Sequence, residues 1–394
     1  MKYKRSDETL ALLGVLNEYS KSDKIMFGHQ NAGHIGVSIQ KHDGTESDVK
    51  NICGRHPAVV GVDTLSFLGY EGNMADLIKT VKNLHRQGCI ITLSSHMPNF
   101  ALGGDDYYDY SPNITEGDCA HRIMEGGDLN AKYLRFLDMI AEFASKCVDI
   151  EGNRIPMIFR PFHESNGSWF WWGEEYLADS HYIELFRYTT DYLMEQKNLD
   201  NLLICYSPNG RIETKDKYME RYPGDDVIDI MGVDYYHDHP HKGDGFASNL
   251  VKTLENVAAC AKDHSKVAAF TETGYRTFDD TGSYYEGLAP EGNLIKTWFS
   301  DMLNVIMSSS LARSMAYMLC WANFSDVQFW VPYVKDGFRH EMTDDFEVFI
   351  NDGEQVMTTR FYVEEEVARN AYRLQVGPPR TRVWDMKEMR VAYE

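Results

Sequence analysis

The chain has 394 residues and a mass of 45.3 kDa, which is enough for one large domain or two ordinary ones. It carries 39 basic and 60 acidic side chains, and the formal net charge of −21 repels phosphate backbones and acidic membranes. We therefore expect no nucleic-acid partner, and the lack of a long apolar run excludes a membrane span. Aromatic residues make up 13% of the chain, which suits either a ligand with flat apolar faces or an aromatic-rich core.

Eight short, nearly continuous apolar runs recur along the chain, with amphipathic segments between them. Such runs are typical of parallel strands that are buried on both faces. The predicted strands are 25–31, 58–64, 89–96, 156–164, 202–209, 229–236, 267–274 and 315–323. The clearest predicted helix is 128–148, where apolar residues fall at three- and four-residue intervals. Further helices are predicted at 73–86, 180–195, 246–263 and 292–307.

Alternating strands and helices over most of the chain predict a single-domain (β/α)8 barrel with long loops after its strands. A doubly wound sheet is the alternative, and the lack of a glycine-rich phosphate-binding signature after any strand disfavours it. We assign residues 1–375 to the barrel and 376–394 to a tail packed on it or trailing from it. Two long stretches, 100–127 and 324–360, are predicted to wall the functional site or to be surface excursions.

The richest polar cluster follows the fourth predicted strand, where residues 160–173 read Arg-Pro-Phe-His-Glu-Ser-Asn-Gly-Ser-Trp-Phe-Trp-Trp-Gly. The seventh strand ends in Thr-Glu-Thr-Gly at 271–274. Because strands four and seven lie nearly opposite each other in an eight-stranded barrel, Glu164 and Glu272 are predicted to face each other across its mouth. Two facing carboxylates are the machinery of glycoside hydrolysis. The alternative is an ion pair that caps the strand beside a tryptophan core.

These motifs, together with Gly-Val-Asp-Tyr-Tyr at 232–236 and Phe-Gly-His-Gln at 27–30, resemble glycoside hydrolase family 26, whose best-known members are β-mannanases. The resemblance spans about residues 25–350. It implies a (β/α)8 barrel, retention at the anomeric carbon, Glu164 as the acid/base and Glu272 as the nucleophile. The substrate-binding residues that it implies are His96, Arg160, His163, Trp169, Asp234, Tyr236 and Trp321.

The resemblance also implies that the Tyr236 phenol hydrogen-bonds the nucleophile. Trp169 and Trp171 are expected to desolvate Glu164 and so raise its pKa. Asp63, at the end of the second strand, is expected to be a solvent-facing cap, and a further polar contact in the site is the alternative. Many members of the family carry an arginine directly after the tryptophan that forms the base of the substrate site. This chain has Ala322 at that position.

We predict an endo-acting β-mannanase that cleaves internal β-1,4-mannosidic linkages of mannan, galactomannan or glucomannan by double displacement. Three alternatives stay open: an exo-acting mannobiohydrolase, another β-glycanase such as a β-1,3-xylanase or lichenase, and a non-catalytic carbohydrate-binding barrel. The run His-Asp-His-Pro-His at 237–241 could suggest a metal-dependent hydrolase. Alternating histidines in one extended loop rarely form a closed coordination shell, so we expect no metal and no cofactor.

The substrate expected is a β-mannan polysaccharide or oligosaccharide, and a monomer is expected to act on it. The N-terminal residues are basic but no apolar segment follows them, which leaves two possibilities for location. A polysaccharide substrate favours a secreted or cell-surface bacterial enzyme whose signal peptide is absent from this sequence. A cytoplasmic location is the alternative.

Overall fold

The structure is a computed structural model that describes residues 2–22, 24–102, 111–241 and 243–351, together with the backbone of Phe361–Tyr362, Arg382–Asp385 and Arg390–Tyr393. Eight parallel strands alternate with helices and close into a barrel, which confirms the predicted fold. The strands are β1 (Ile25–Gln30), β2 (Val59–Asp63), β3 (Ile90–Ser95), β4 (Met157–Pro161), β5 (Leu202–Tyr206), β6 (Ile230–Asp234), β7 (Val267–Thr273) and β8 (Met315–Cys320). The helices are α1 (Asp7–Lys21), α2 (Asp48–Cys53), α3 (Met74–Arg86), α4 (Cys119–Arg122), α5 (Asn130–Lys146), α6 (Asp179–Asp191), α7 (Lys215–Met219), α8 (Phe246–Asp263), α9 (Trp298–Met307) and α10 (Thr343–Asn351).

The barrel closes between its first and last strands. Gly28 of β1 lies level with Val59 of β2 on one side and with Leu319 of β8 on the other. Every ladder around the barrel is parallel, as crossover helices between consecutive strands require. Since parallel strands end at the same edge, the residues that follow them meet at one mouth of the barrel.

The apolar core has two layers. One lies between the strands and the surrounding helices, and the other fills the barrel itself. Helix α1, which we did not predict, packs Leu12, Val15 and Leu16 against the inner layer at the end opposite the mouth. Its first turn is capped by the Ser6 hydroxyl, which accepts from the Thr9 N–H at 3.2 Å. Each buried aliphatic side chain of this kind stabilises the fold by roughly 1.5–3 kcal/mol.

The stretch 324–360 differs most from the prediction. It contains helix α10, which follows β8 and packs against the barrel, and no described residue of the stretch lines the cleft at the barrel mouth. The rings of Phe346 and Phe349 each pack edge-on against Phe27 of β1, with centroids 5.4 Å apart. A two-residue hairpin of Val334–Lys335 and Phe338–Arg339 precedes the helix. The segments 103–110 and 352–360 of the two long stretches lie outside the described residues.

The other predicted helices shift by a few residues at most, except that 292–307 begins only at Trp298. The predicted helix 180–195 is α6 followed by one π-helical turn, Tyr192–Gln196. The predicted domain boundary at residue 375 falls outside the described residues and stays a prediction. No helix in the described part of the chain combines the length and the apolar character needed to cross a bilayer.

Candidate active site

Glu164 lies in a tight turn after β4 and not on the strand, which ends at Pro161. Phe162 and Glu164 both have positive φ angles, 49° and 54°, which are unfavourable for residues with a Cβ. Two hydrogen bonds hold the turn: the Glu164 N–H donates to the Ser207 carbonyl at 2.7 Å, and the Tyr182 hydroxyl donates to the Phe162 carbonyl at 3.0 Å. The predicted strand to residue 164 was therefore wrong, because the chain leaves the barrel wall to bring this carboxyl into the mouth.

The tryptophans after this turn divide between the cleft and the core. Trp169 is 37% exposed, and its indole N–H donates to Oε2 of Glu164 at 2.7 Å. The indole lies over Gly167, where a Cβ would come within 2.4 Å of the ring, so a larger residue there would displace it. Trp171 and Trp172 are buried, and their N–H groups donate to backbone carbonyls. Trp171, which was expected to desolvate Glu164, is part of the apolar core.

The second carboxylate, Glu272, is held at both of its oxygens. Arg160 donates to Oε2 at 2.5 Å, and the Tyr236 hydroxyl donates to Oε1 at 2.8 Å, which is the contact expected for this phenol. Arg160 is 2% exposed, so water screens its charge weakly. Arg160, a permanently charged donor, and the Tyr236 hydroxyl together stabilise a carboxylate at this position.

Asp234 completes a buried charge network beneath Glu272. A register shift between β6 and β7 brings the two residues level. Arg160 donates to Oδ2 of Asp234 at 2.6 Å, while the hydroxyls of Ser207 and Thr271 donate to Oδ1 at 2.7 and 2.8 Å. Burial raises the pKa of Asp234 to about 7 against the opposing effect of Arg160, and the charge of Glu272 adds to the rise.

Within the described part of the chain, Glu164, unlike Glu272, accepts no hydrogen bond from a buried cation, and it lies in an environment that favours its protonated form. Burial raises its pKa to about 8, and the negative charges of Glu272 and Asp234 act in the same direction. The hydrogen bond from Trp169 and the more distant charge of Arg160 oppose this rise only in part. A carboxyl whose pKa lies above neutrality keeps its proton at pH 7, as a general acid must. The two glutamates are therefore set for different roles.

Both glutamates line a cleft of about 630 Å³ at the mouth of the barrel. Four of the predicted substrate-binding residues also line it: His96, Trp169, Tyr236 and Trp321. Further lining residues were not predicted: Asn113, Phe170, Asn209, Gly210, Tyr235, Asp238, Arg276 and Glu286. Most of these follow the strand ends by several residues, in loops where periodicity carries no signal.

Three of the predicted substrate-binding residues are buried next to the cleft and do not line it. Arg160, His163 and Asp234 are each at most 2% exposed and do not line it. Their hydrogen bonds go to other residues of the site, so they position the lining side chains. Their predicted contact with the substrate stays a prediction.

His96 is oriented by a buried carboxylate. Asp63, which we expected to face solvent, is 1% exposed and accepts from Nδ1 of His96 at 2.8 Å. Burial alone would lower the pKa of His96, but the adjacent Asp63 outweighs it and the pKa is raised. Nε2 of His96 lies 3.2 Å from Nε2 of His163, whose pKa burial lowers well below its ordinary value. This arrangement favours His96 as the donor and leaves its ring edge in the cleft.

The histidines of the 237–241 run do not converge. His237 stacks on Phe246 with ring centroids 3.9 Å apart, and its Nε2 lies 2.9 Å from Asp244. His239 packs against Tyr284 on the surface. Among the residues that the structure describes, no three His, Cys, Asp or Glu side chains are grouped so that they could hold a metal ion.

A pair of carboxyls in opposite electrostatic environments, in an aromatic cleft at the C-terminal mouth of a (β/α)8 barrel, is the arrangement of a glycoside hydrolase. The chain belongs to glycosyl hydrolase family 26, whose sequence profile matches residues 2–275. This match confirms the family that the motifs predicted.

Similar proteins agree with this assignment. The mannan endo-1,4-β-mannosidase of Bifidobacterium adolescentis is 34% identical over 333 residues, which cover 80% of this chain. The matched part spans only 31% of that longer protein. Among solved structures, an endo-β-1,4-mannanase double mutant from Cellulomonas fimi has a TM-score of 0.81 at 33% identity, covering 92% of this chain and 78% of that one. The catalytic domain of the Bacillus sp. JAMB-750 GH26 endo-β-1,4-mannanase has a TM-score of 0.81 at 35% identity, covering 90% and 93%.

Proposed function

We propose that this chain is a retaining endo-β-1,4-mannanase that cleaves internal linkages of mannan, galactomannan or glucomannan. The observation that carries the proposal is the contrast between the two carboxyls of the cleft. Burial and like charge raise the pKa of Glu164 to about 8, while Arg160 and Tyr236 hold both oxygens of Glu272. The names of the similar proteins support β-1,4-mannan as the substrate.

In the first step, Glu272 attacks the anomeric carbon and Glu164 donates its proton to the glycosidic oxygen, so that the leaving sugar departs as an alcohol. The result is an ester between the substrate and Glu272. Esterification removes the negative charge of Glu272. Arg160 is not left unpaired, because it still donates to Asp234.

In the second step, a water molecule attacks the same carbon while the now ionised Glu164 accepts its proton. The loss of charge on Glu272 helps Glu164 to act as a base in this step. The negative charge of Glu272 is one of the causes that raise the pKa of Glu164, so the pKa of Glu164 falls when the ester forms. Glu164 thus favours its acid form before the first step and its base form before the second.

The aromatic lining supplies flat faces for sugar rings. The rings of His96 and Trp321, which follow β3 and β8, lie 5.7 Å apart, and the Trp169 indole contacts Glu164. We assign the sugar under attack to the side of His96 and Trp321. The leaving part of the substrate then passes Trp169.

The product profile tests this proposal. Linear mannan, galactomannan, β-1,3-xylan and mixed-linkage glucan are digested separately, and early products are separated by size. A ladder of manno-oligosaccharides of mixed length supports endo action, whereas mannobiose alone from the first minutes would indicate an exo-acting mannobiohydrolase. Activity on none of the four polymers would remove the assignment. Glu272→Gln, which keeps the shape of the side chain, is the matched inactive control.

We further propose that the enzyme acts as a monomer. Sedimentation at several protein concentrations checks this. A polymeric substrate that cannot enter the cell supports a secreted or cell-surface bacterial location, which cell fractionation of the source organism checks. The net charge of −21 supports the absence of a nucleic-acid partner.

A further inference from the structure

An aromatic surface follows β6 and β7. In the strand order of the barrel, β5 and β6 lie on one side of the glutamate-bearing strands β4 and β7, and β3 and β8, which precede His96 and Trp321, lie on the other side. The aromatic surface consists of His239, Phe278 and Tyr284, which we call the rim cluster. The rings of His239 and Tyr284 lie 4.9 Å apart at 32°, and those of Phe278 and Tyr284 lie 5.3 Å apart. Tyr284 is 41% exposed. Two exposed rings grouped with a half-buried one on a strongly charged protein are typical of a binding surface.

The rim cluster is continuous with the cleft. Each of its members lies within two residues of a side chain that lines the cleft, namely Asp238, Arg276 or Glu286. A two-residue parallel pair, His237–Asp238 with Tyr275–Arg276, extends the ends of β6 and β7 beyond the barrel. An ion pair of 3.0 Å between Asp238 and Arg276 ties the two extensions together. The aromatic surface is thus the outward continuation of one wall of the cleft.

The rim cluster is also held in place by the backbone. Phe278 and Tyr284 form an antiparallel bridge, and the Tyr285 N–H donates to the Thr277 carbonyl at 2.8 Å. The Asp279 carboxylate accepts backbone N–H groups across the turn between them. A surface that is ordered before binding loses little conformational entropy when a ligand arrives.

We propose that the rim cluster binds a mannosyl unit of the leaving part of the substrate, at least two units beyond the bond that is cleaved. The proposal rests on the proposed function, which places the sugar under attack beside His96 and Trp321. The chain beyond the cleaved bond then runs past Trp169 toward the rim cluster. The apolar face of a sugar ring stacks on Tyr284, and Arg276 and Glu286 hydrogen-bond its hydroxyl groups. A neutral polyhydroxyl ligand fits a surface where aromatic faces alternate with a paired acid and base.

The consequence is a preference for long substrates that depends on chain length and not on chemistry at the cleaved bond. Mannohexaose can reach the rim cluster, whereas an aryl β-mannobioside cannot, because its leaving group is a single aryl ring. Contacts made only by the longer substrate change its kcat/KM alone.

The test compares Tyr284→Ala with Tyr176→Ala, a tyrosine of similar exposure, 39%, that does not line the cleft. We expect Tyr284→Ala to lower kcat/KM for mannohexaose about tenfold, the size of one aromatic contact, and to leave the aryl β-mannobioside unchanged. His239→Ala should show the same pattern with a smaller loss, and Tyr176→Ala should change neither substrate. Unchanged turnover of the aryl substrate also shows that each variant is folded.

The possible failures are distinguishable. If Tyr284→Ala equals the wild type on mannohexaose, or loses rate equally on both substrates, the rim cluster does not bind the leaving part. If the wild type cleaves neither substrate, the proposed function itself fails, and the rim proposal falls with it.

Discussion

Replacing Trp169 by phenylalanine should move the alkaline limb of the pH profile of kcat/KM to higher pH. The indole N–H donates to Oε2 of Glu164 at 2.7 Å, and this contact favours the ionised carboxyl. Phenylalanine keeps an aromatic face but cannot donate. Burial and the charges of Glu272 and Asp234 then act with less opposition, and the pKa of Glu164 rises above about 8. Because the first step needs protonated Glu164, activity persists to higher pH.

The size of the shift follows from the geometry. A hydrogen bond to an ionised group contributes about 1.5–3 kcal/mol. Trp169 is 37% exposed, so water recovers part of that contribution when the donor is removed, and about 1–1.5 kcal/mol is left. At 1.36 kcal/mol for each pKa unit, this corresponds to an upward shift of about one unit.

The assay is kcat/KM for a soluble manno-oligosaccharide from about pH 5 to about pH 10, since this parameter reports the pKa values of the free enzyme. Trp321→Phe makes the same change of ring at another position in the cleft. It should lower the rate without moving the alkaline limb. If the limb of Trp169→Phe stays in place or moves to lower pH, Glu164 is not the acid that titrates there.

Other perturbations test the same site. Glu272→Gln should abolish turnover of every substrate, whereas Glu164→Gln should retain a burst with aryl glycosides of good leaving groups, which need little protonation; identical behaviour of the two variants would contradict their assigned roles. The folded-state pKa of Glu164 is raised, so its contribution to stability is present below the unfolded value of about 4.5 and is lost as the pH rises toward about 8. Glu164→Gln should therefore melt a few degrees above the wild type near pH 8 and close to it near pH 4 in calorimetry, and a uniform difference at both pH values would argue against this linkage. Arg160→Met leaves Asp234 and Glu272 without their buried cation and should cost about 3–5 kcal/mol in urea unfolding, part of which Asp234→Asn in the same chain should restore. EDTA should leave the activity unchanged, and its loss with recovery on addition of a divalent ion would reopen the metal interpretation of the 237–241 histidines.

The strands could be predicted because their signal is local. A parallel strand buried on both faces is an apolar run, and all eight barrel strands lie within the predicted segments. Helix α1 was not predicted because its apolar residues are spread around the helix and form no clear amphipathic pattern. Leu10 is 42% exposed, while Leu12, Val15 and Leu16 are buried. Helix α2 has six residues and α7 has five, too few for a helical period to show.

The site was predictable where a functional side chain lies at the end of a strand, as Glu272 does on β7. It was less predictable where neighbours from other strands decide the outcome. Glu164 takes a left-handed conformation because the Ser207 carbonyl of the next strand's loop holds its N–H. Asp63 is buried because His96, at the end of the adjacent strand, covers and pairs with it. Nothing near Asp63 in the sequence reports that partner.

Helix α1 and the closing contact between β1 and β8 have a consequence for how the protein reaches this state. Gly28 of β1 pairs with Leu319 of β8, so a strand that is synthesised early cannot complete its pairing until the last barrel strand has been synthesised. Until then, the inner core layer against which Leu12, Val15 and Leu16 pack is incomplete, and these side chains stay exposed. Such a high contact order predicts slow folding with a collapsed, sticky intermediate that is prone to aggregation. A chain stopped before β8 should therefore need a chaperone more than the complete barrel does.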